Sequence, residues 1–234
     1  MFFEEHKDQV FYSRQLEVRY EKEYFHWIAN RALRELKEDG LVKSETRSLG
    51  TGGSVKLYWH RLYRYYKRDA KKVVGLIEQY SDSAFTEALG QHGEGMVESG
   101  FTRNQFVILG THTNEFNGKK WAQTEHNLDY ILTRDSVVYG VEVKNTLPYM
   151  DKAEFDIKIK LCKFLKIKPV FVVRMLPASW TYELWREGGF ALIIKYQLYP
   201  WGYKDFAERI SKELGLPVDC PRALYGVVSG YELF

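Results

Sequence analysis

Two β-strand patterns that lie close together in the chain constrain its fold more than any other feature. The first covers residues 127–131 and the second covers Val137–Lys144, and only a short polar turn separates them. Their apolar residues, above all valine, isoleucine and tyrosine, are types that strands favour. Two strands joined by so short a turn pair as an antiparallel hairpin. We therefore expect these strands to lie side by side in a sheet.

The patterns before and after the hairpin indicate what surrounds that sheet. A helix is predicted over residues 81–101, with capping side chains at its start, and a strand over residues 106–109. A second helical pattern covers residues 153–166, and the apolar run that follows, residues 169–173, is typical of a strand buried on both faces. The order helix, strand, strand, strand, helix, strand predicts an α/β fold with a mixed central sheet flanked by helices.

Three charged residues stand at corresponding ends of the hairpin strands. Glu142 and Lys144 are separated by Val143, so their side chains point to the same face of the sheet. Pairing of the hairpin brings Asp129 alongside Glu142. Two facing carboxylates repel each other unless a cation lies between them, and a divalent metal ion with oxygen ligands is the usual solution. The alternative is an ordinary ion pair on a half-exposed sheet.

These residues carry a resemblance to a known family. With Asp129 as its first acid and Glu142-Val143-Lys144 as its (D/E)xK tripeptide, the chain resembles the PD-(D/E)xK superfamily of restriction-endonuclease-like nucleases over residues 81–200. The chain departs from that family in lacking a glutamine motif in the next helix, where Lys158 or Lys160 stands instead.

The resemblance implies hydrolysis of phosphodiester bonds with Mg²⁺ as the cofactor, for which Mn²⁺ would substitute. Asp129 and Glu142 would hold the metal against a phosphate oxygen. Lys144 would position the attacking water, or help to deprotonate it, and offset the charge that grows on the transition state. Glu87 would complete the metal site from the preceding helix, and Glu94, two turns later on the same face, is the substitute if the helix phase differs.

The first third of the chain predicts a separate small domain. Apolar residues spaced three and four apart predict a helix over residues 23–38, and Gly40 ends it. Two strands, residues 41–47 and 54–59, follow around a flexible glycine-rich turn. A helix followed by such a hairpin resembles the end of a winged helix-turn-helix domain, in which the helix enters the major groove of DNA and the hairpin touches the backbone. The resemblance implies that residues 1–60 bind duplex DNA, while winged helices also serve as dimerisation or protein-contact modules.

Basic residues accumulate in and after this region. From Lys43 to Lys72 there are nine lysines and arginines against two acids, with tyrosines between them. Cations and flat aromatic donors suit a phosphate-rich surface, although a solvated helix with its aromatic residues packed inward has the same composition. The residues predicted to contact nucleic acid are Asn30, Arg31, Arg34, Lys37, Lys43, Arg47, Lys56, Arg64, Lys67, Arg68 and Lys71.

Other features narrow the function by exclusion. No apolar run reaches membrane-spanning length and the N-terminus does not read as a secretory signal, so we expect a cytoplasmic protein with no membrane partner. The six histidines show no paired zinc-ligand spacing. The chain also lacks the glycine-lysine loop that binds nucleotide phosphates, so no nucleotide cofactor is expected.

Together these observations predict a DNA endonuclease in three parts. Residues 1–60 form the winged-helix domain, residues 61–80 a connector helix, and residues 81–234 the nuclease domain with a C-terminal extension. A homodimer is expected because cutting both strands of a duplex takes two sites. Two other functions stay open: a non-catalytic DNA-binding or regulatory protein on the same fold, and a structure-specific nuclease for junctions or flaps, or one for RNA.

Overall fold

A computed structural model of the chain describes residues 2–224 and divides them into two compact units. The first unit contains residues 2–87 and 205–218, and the second contains residues 88–204 and 219–224. The helices are α1 (Phe2–Glu5), α2 (Ser13–Tyr20), α3 (His26–Glu38), α4 (Tyr66–Tyr80), α5 (Ser83–Arg103), α6 (Lys152–Leu165), α7 (Ala178–Arg186) and α8 (Lys204–Leu214). The strands are β1 (Val10–Tyr12), β2 (Val42–Ser48), β3 (Ser54–His60), β4 (Val107–Thr113), β5 (Glu115–Phe116), β6 (Lys119–Lys120), β7 (Leu128–Arg134), β8 (Val137–Lys144), β9 (Lys168–Val173), β10 (Phe190–Ile193), β11 (Gln197–Leu198) and β12 (Val218–Asp219).

The first unit is built on a three-stranded antiparallel sheet in the order β1, β3, β2. Side chains alternate between its two faces. On one face Phe11 and Tyr58, which are paired across β1 and β3, pack with Leu33 of α3 and with Val42 in a buried cluster. Helix α3 therefore covers this face.

The opposite face of the same sheet carries α4. Trp59 of β3 stacks on Tyr66 at the start of α4, with ring centroids 4.2 Å apart. At the other end of α4 the Tyr80 hydroxyl lies 2.6 Å from the hydroxyl of Tyr12 in β1. Because Tyr12 and Trp59 alternate with the residues that face α3, helices α3 and α4 lie on opposite sides of the sheet.

Helix α8 also belongs to the first unit, although it follows the other unit in the chain. Its Leu214 carbonyl accepts a hydrogen bond from the buried Gln15 amide, and Phe206 packs edge-on against Phe85. The sequence analysis placed residues 205–218 in the nuclease domain and treated residues 61–80 as a connector, whereas both pack with the N-terminal residues. Helical periodicity identifies an apolar face but not the surface that covers it. Residues 225–234, also assigned to the nuclease domain, lie outside the described residues.

The second unit contains the predicted mixed central sheet, in the order β10, β9, β8, β7, β4. Strand β7 pairs antiparallel with β4 and β8, while β8, β9 and β10 run parallel. Helix α5 packs Val97 and Phe101 on one face, and α6 packs Phe155 and Leu161 among the residues of the other. The α/β architecture with a sheet flanked by helices is thus confirmed. None of the helices within residues 2–224 has the length and apolar character needed to traverse a lipid bilayer.

Candidate active site

The first predicted acid, Asp129, lies near the start of β7, beside the end of β8. Its carboxylate accepts a hydrogen bond of 2.6 Å from the Val143 N–H, which ties the two strands together. Burial raises the pKa of Asp129, the Val143 hydrogen bond acts against this rise, and the neighbouring Glu94 carboxylate adds to it. Asp129 is therefore next to the Glu142-Val143-Lys144 segment, as the hairpin predicted.

The second predicted acid, Glu142, is only 2% exposed and has an ion pair at each oxygen. One oxygen lies 2.9 Å from the Lys144 ammonium, and the other contacts the ammonium of Lys158, which reaches up from α6. Lys158 also donates to the carbonyl of Asn127. Burial and the Asp129 charge raise the pKa of Glu142, while the two lysines lower it. Lys158, which the sequence offered only as a replacement for a missing motif, is thus a direct partner of Glu142.

The Lys144 ammonium is held between two carboxylates. It lies 2.9 Å from Glu142 and 2.7 Å from Glu154, which projects from α6. Burial favours the neutral amine, but the two carboxylates outweigh it and raise the pKa of Lys144 above its ordinary value. Lys144 therefore carries a positive charge in this arrangement, at the end of β8.

A cluster of possible metal ligands lies at Asp129 and contains a residue that the sequence analysis did not select. Ligand atoms of Glu94, His112 and Asp129 all lie within 4.8 Å of one another. The His112 imidazole is 3.7 Å from the Glu94 carboxylate. Two carboxylates and an imidazole suit a divalent cation. The carboxylate oxygens suit Mg²⁺ or Mn²⁺, and the imidazole nitrogen suits transition-metal ions better than Mg²⁺. We refer to Glu94, His112 and Asp129 as the ligand cluster.

The remaining predicted residues of the site lie elsewhere. Glu87 is exposed on α5, two turns before Glu94, and is not part of the ligand cluster. Glu94, the substitute for it, is the helix acid in that cluster. Lys160 is exposed on α6, in contrast to the buried Lys158.

Glu94 reaches Asp129 because α5 approaches the end of β8 very closely. A Cβ atom on Gly93 would lie 2.4 Å from the Cβ of Asn145, so only glycine fits there. The buried Asn145 side chain donates to the carbonyls of Leu89 and Leu198 and accepts from the Leu198 N–H at 2.6 Å. Residues 93 and 145 therefore fix the two backbones that carry Glu94 and Lys144.

His112 was missed because its partners are distant in the chain. Its strand, β4, pairs Thr111 with Tyr130 and Thr113 with Leu128, so His112 lies across from Asp129. Spacing along the chain does not reveal a histidine whose partner ligands lie on another strand and a helix. Extending the predicted strand at residues 106–109 through residue 113, beside β7, would have identified it. The backbone at His112 has a positive φ of 46°, which follows a register shift after Ile108.

The predicted nucleic-acid contacts all lie in the first unit but not on one surface. Helix α3 exposes Arg34 and Lys37, while Arg31 pairs with Glu35 and Asn30 donates to the buried Glu17. Lys56 of β3 points to the same side as α3 by strand alternation. The others are on β2 (Lys43 and Arg47, on the α4 side), before α4 (Arg64) and on α4 (Lys67, Arg68 and Lys71).

The tip of the β2–β3 hairpin is held rather than free. The Gly50 N–H donates to the Glu78 carboxylate of α4 at 2.8 Å, and the Thr51 hydroxyl lies 3.3 Å from that of Ser81. The sequence predicted a flexible tip because it is rich in glycine. These contacts instead tie the tip to the C-terminal end of α4.

Comparison of the chain with protein-family models, with curated proteins and with solved structures finds no match.

Proposed function

We propose that the chain is a metal-dependent nuclease that hydrolyses phosphodiester bonds in DNA and binds its substrate through the first unit. The observation that carries this proposal is the ligand cluster of Glu94, His112 and Asp129, in which the Asp129 carboxylate is within electrostatic range of the positively charged Lys144 at the end of β8. A metal ligand set next to a fixed cation suits a reaction in which negative charge develops on a phosphate.

The donor atoms fit a divalent metal ion. Glu94 and Asp129 offer carboxylate oxygens, and His112 offers an imidazole nitrogen. A bound Mg²⁺ or Mn²⁺ would polarise a phosphoryl oxygen and lower the pKa of a bound water. Asp129 keeps one oxygen on the Val143 N–H, which orients its carboxylate.

Lys144 supplies the fixed positive charge. Glu142 and Glu154 hold its ammonium from two sides and keep it protonated, so its remaining N–H donates to a phosphate oxygen or to the attacking water. Glu142 acts through Lys144, because both of its own oxygens are engaged by lysines. This differs from the sequence prediction, in which Glu142 was itself a metal ligand.

The first unit supports DNA binding. Helices α2 and α3 are followed by the β2–β3 hairpin, and β1 pairs with β3, which resembles the arrangement of a winged helix-turn-helix domain. The exposed Arg34 and Lys37 of α3 would contact phosphates or base edges in the major groove. This part of the proposal also fits a protein that binds DNA without cutting it.

The test is a cleavage assay on duplex, single-stranded, flap and four-way-junction DNA and on RNA, each with Mg²⁺, with Mn²⁺ or with EDTA. We expect metal-dependent products from at least one DNA substrate. Asp129→Ala and Lys144→Ala should abolish cleavage and leave binding in EDTA unchanged, whereas Lys160→Ala, a lysine exposed on α6, should leave both unchanged. Unchanged cleavage by Asp129→Ala or Lys144→Ala contradicts the proposal.

Two further outcomes identify the alternatives. Salt-sensitive DNA binding without any metal-dependent product would favour the non-catalytic protein. Cleavage confined to RNA would favour a ribonuclease. Electron paramagnetic resonance of bound Mn²⁺ distinguishes the ligand cluster from the ligands predicted from the sequence. His112→Ala and Glu94→Ala should weaken Mn²⁺ binding by at least about 10-fold, because even an outer-shell partner of a metal ligand is worth about that much, and Glu87→Ala should leave it unchanged.

A further inference from the structure

Helices α4 and α8 of the first unit line an open groove of about 490 Å³ in which basic side chains outnumber acidic ones. Four cations line it, Arg68, Lys71 and Lys72 from α4 and Arg209 from α8, against one carboxylate, Glu213. Arg68 pairs with the adjacent Asp69 and Arg209 with Glu213, so the two lysines carry the excess charge. The sequence analysis included Arg68 and Lys71 among the nucleic-acid contacts but not Lys72 or Arg209. The groove exists only because α8, more than 100 residues away in the chain, packs beside α4.

The groove is a continuous track along one side of α4. Positions 68, 71, 72, 75 and 79 recur at three and four residues, which places them on one helical face. Arg209 donates a hydrogen bond of 2.8 Å to the Gln79 side chain and so links α8 to this face. Among the residues that the structure describes, Lys71 makes no hydrogen bond or ion pair and is available to an anion.

Gly75 forms part of the groove lining. A Cβ atom at this position would have no atom within 4 Å, so the helix backbone is open to the groove there. An extended polyanion can lie along such an open basic track, whereas a small anion would be expected in an enclosed pocket with buried donors.

Helix α4, which carries three of the four cations of the groove, lies on the opposite side of the three-stranded sheet from α3. Helix α3 covers one face of the three-stranded sheet and α4 covers the opposite face, as the alternation of Phe11 with Tyr12 and of Tyr58 with Trp59 requires. A straight duplex that contacts the exposed face of α3 lies on that side of the sheet, whereas α4 and its cations lie on the other side.

We propose that the α4–α8 groove is a second nucleic-acid-binding surface, which takes the phosphodiester backbone of a DNA segment separate from the one bound at α3. The proposal rests on the DNA-binding part of the proposed function and is independent of cleavage. It assigns Lys72 and Arg209 to DNA binding and gives the protein the means to bind a branched or sharply bent substrate.

Gly75→Glu is the sharpest test, because it places a carboxylate in the groove without a steric clash and with a better helix-forming residue. Gly75→Ala is the matched control, and a Lys72→Ala, Arg209→Ala double variant tests the cations themselves. The full chain in EDTA, where no cleavage occurs, is titrated with a labelled duplex of about one helical turn while salt is varied. Circular dichroism and thermal unfolding confirm that each variant is folded.

We expect the wild type and Gly75→Ala to bind two short duplexes, and Gly75→Glu and the double variant to bind one. With a long duplex or a four-way junction, the two groove variants should lose about 10-fold in affinity, and the slope of log K against log salt should fall by about one to two. Arg34→Ala on α3 should weaken the other short-duplex site and leave the groove site intact.

Unchanged stoichiometry and salt slope in Gly75→Glu would overturn the proposal. It would also be overturned if inorganic phosphate or pyrophosphate bound in the groove of the wild type while DNA did not. Neither result bears on cleavage, because the metal-dependent assay depends on Asp129 and Lys144 of the other unit. Conversely, absence of cleavage leaves the stoichiometry result valid.

Discussion

The charged residues of the two units differ in how much each one depends on its neighbours. In the second unit, Glu142 is 2% exposed and is held by two lysines, one of which is itself held by a second carboxylate. In the first unit, Arg31 has 68% of its side chain exposed and pairs with Glu35, one turn away on the same helix. Buried charges must be paired, while exposed charges are screened by water. We therefore expect single substitutions to have large effects in the second unit and small ones in the first.

The largest effect is expected from Lys158→Met. It removes one partner of Glu142 and leaves a buried carboxylate with Lys144 alone, which should cost about 3 kcal/mol. Hydrogen exchange of the β7, β8 and β9 amides measures the stability of the second unit on its own. Lys160→Met, at an exposed position of the same helix, should change the stability measured by exchange by less than about 0.5 kcal/mol. Equal effects of the two substitutions would remove the contrast between buried and exposed charges.

Gly93→Ala should have the next largest effect. The new methyl group meets the Asn145 side chain, which is pinned by three hydrogen bonds, so α5 must move away from β8 at a cost of about 1–3 kcal/mol. The same shift separates Glu94 from Asp129 and should weaken Mn²⁺ binding.

Gly95→Ala is the control for that substitution, since a Cβ atom there has open space. It should stabilise α5 by up to about 1 kcal/mol and leave Mn²⁺ binding unchanged. If Gly93→Ala behaved in the same way, the close approach of α5 to β8 would not be what positions Glu94.

A smaller effect is expected from Arg34→Ala on α3. The side chain is exposed, so stability should change by less than about 0.5 kcal/mol. DNA binding should weaken, with the salt slope falling by about one, as for one lost phosphate contact. Fluorescence anisotropy at several salt concentrations measures the affinity for DNA and the salt slope. A change in folding stability larger than that of Lys158→Met would contradict the expected ranking.

The smallest effect is expected from Tyr63→Phe. The Tyr63 hydroxyl contacts Asp69 and lowers the pKa of that carboxyl, with help from Arg68 and against partial burial. A lowered pKa stabilises the fold above the unfolded-state pKa and loses that contribution as the pH falls through the native value. Tyr63→Phe should therefore raise the pKa of Asp69 and reduce stability only above the acid range. Nuclear magnetic resonance titration measures the pKa of Asp69, and Tyr65→Phe, at an exposed tyrosine, is the control.

Part of this arrangement could be predicted from the sequence. Alternation in residues 137–144 predicted β8 and placed Glu142 and Lys144 on one side of it, and helical spacing predicted α3 and α6. The pairing of β7 with β8 brought Asp129 to the predicted place. Such periodicities are local properties of the backbone, because the side-chain direction repeats every two residues in a strand and every 3.6 in a helix.

The sequence by itself determined helices α3 to α6, the order of the longer strands from β2 to β9, and the position of Asp129, Glu142 and Lys144 on adjacent strands. Only the tertiary structure decided that Glu94 rather than Glu87 approaches Asp129, that His112 lies across from it, and that both oxygens of Glu142 are taken by lysines. It likewise decided that α8 packs beside α4. The physical reason is that these contacts depend on helix rotation, strand register and packing between segments far apart in the chain, and a periodic pattern contains none of these.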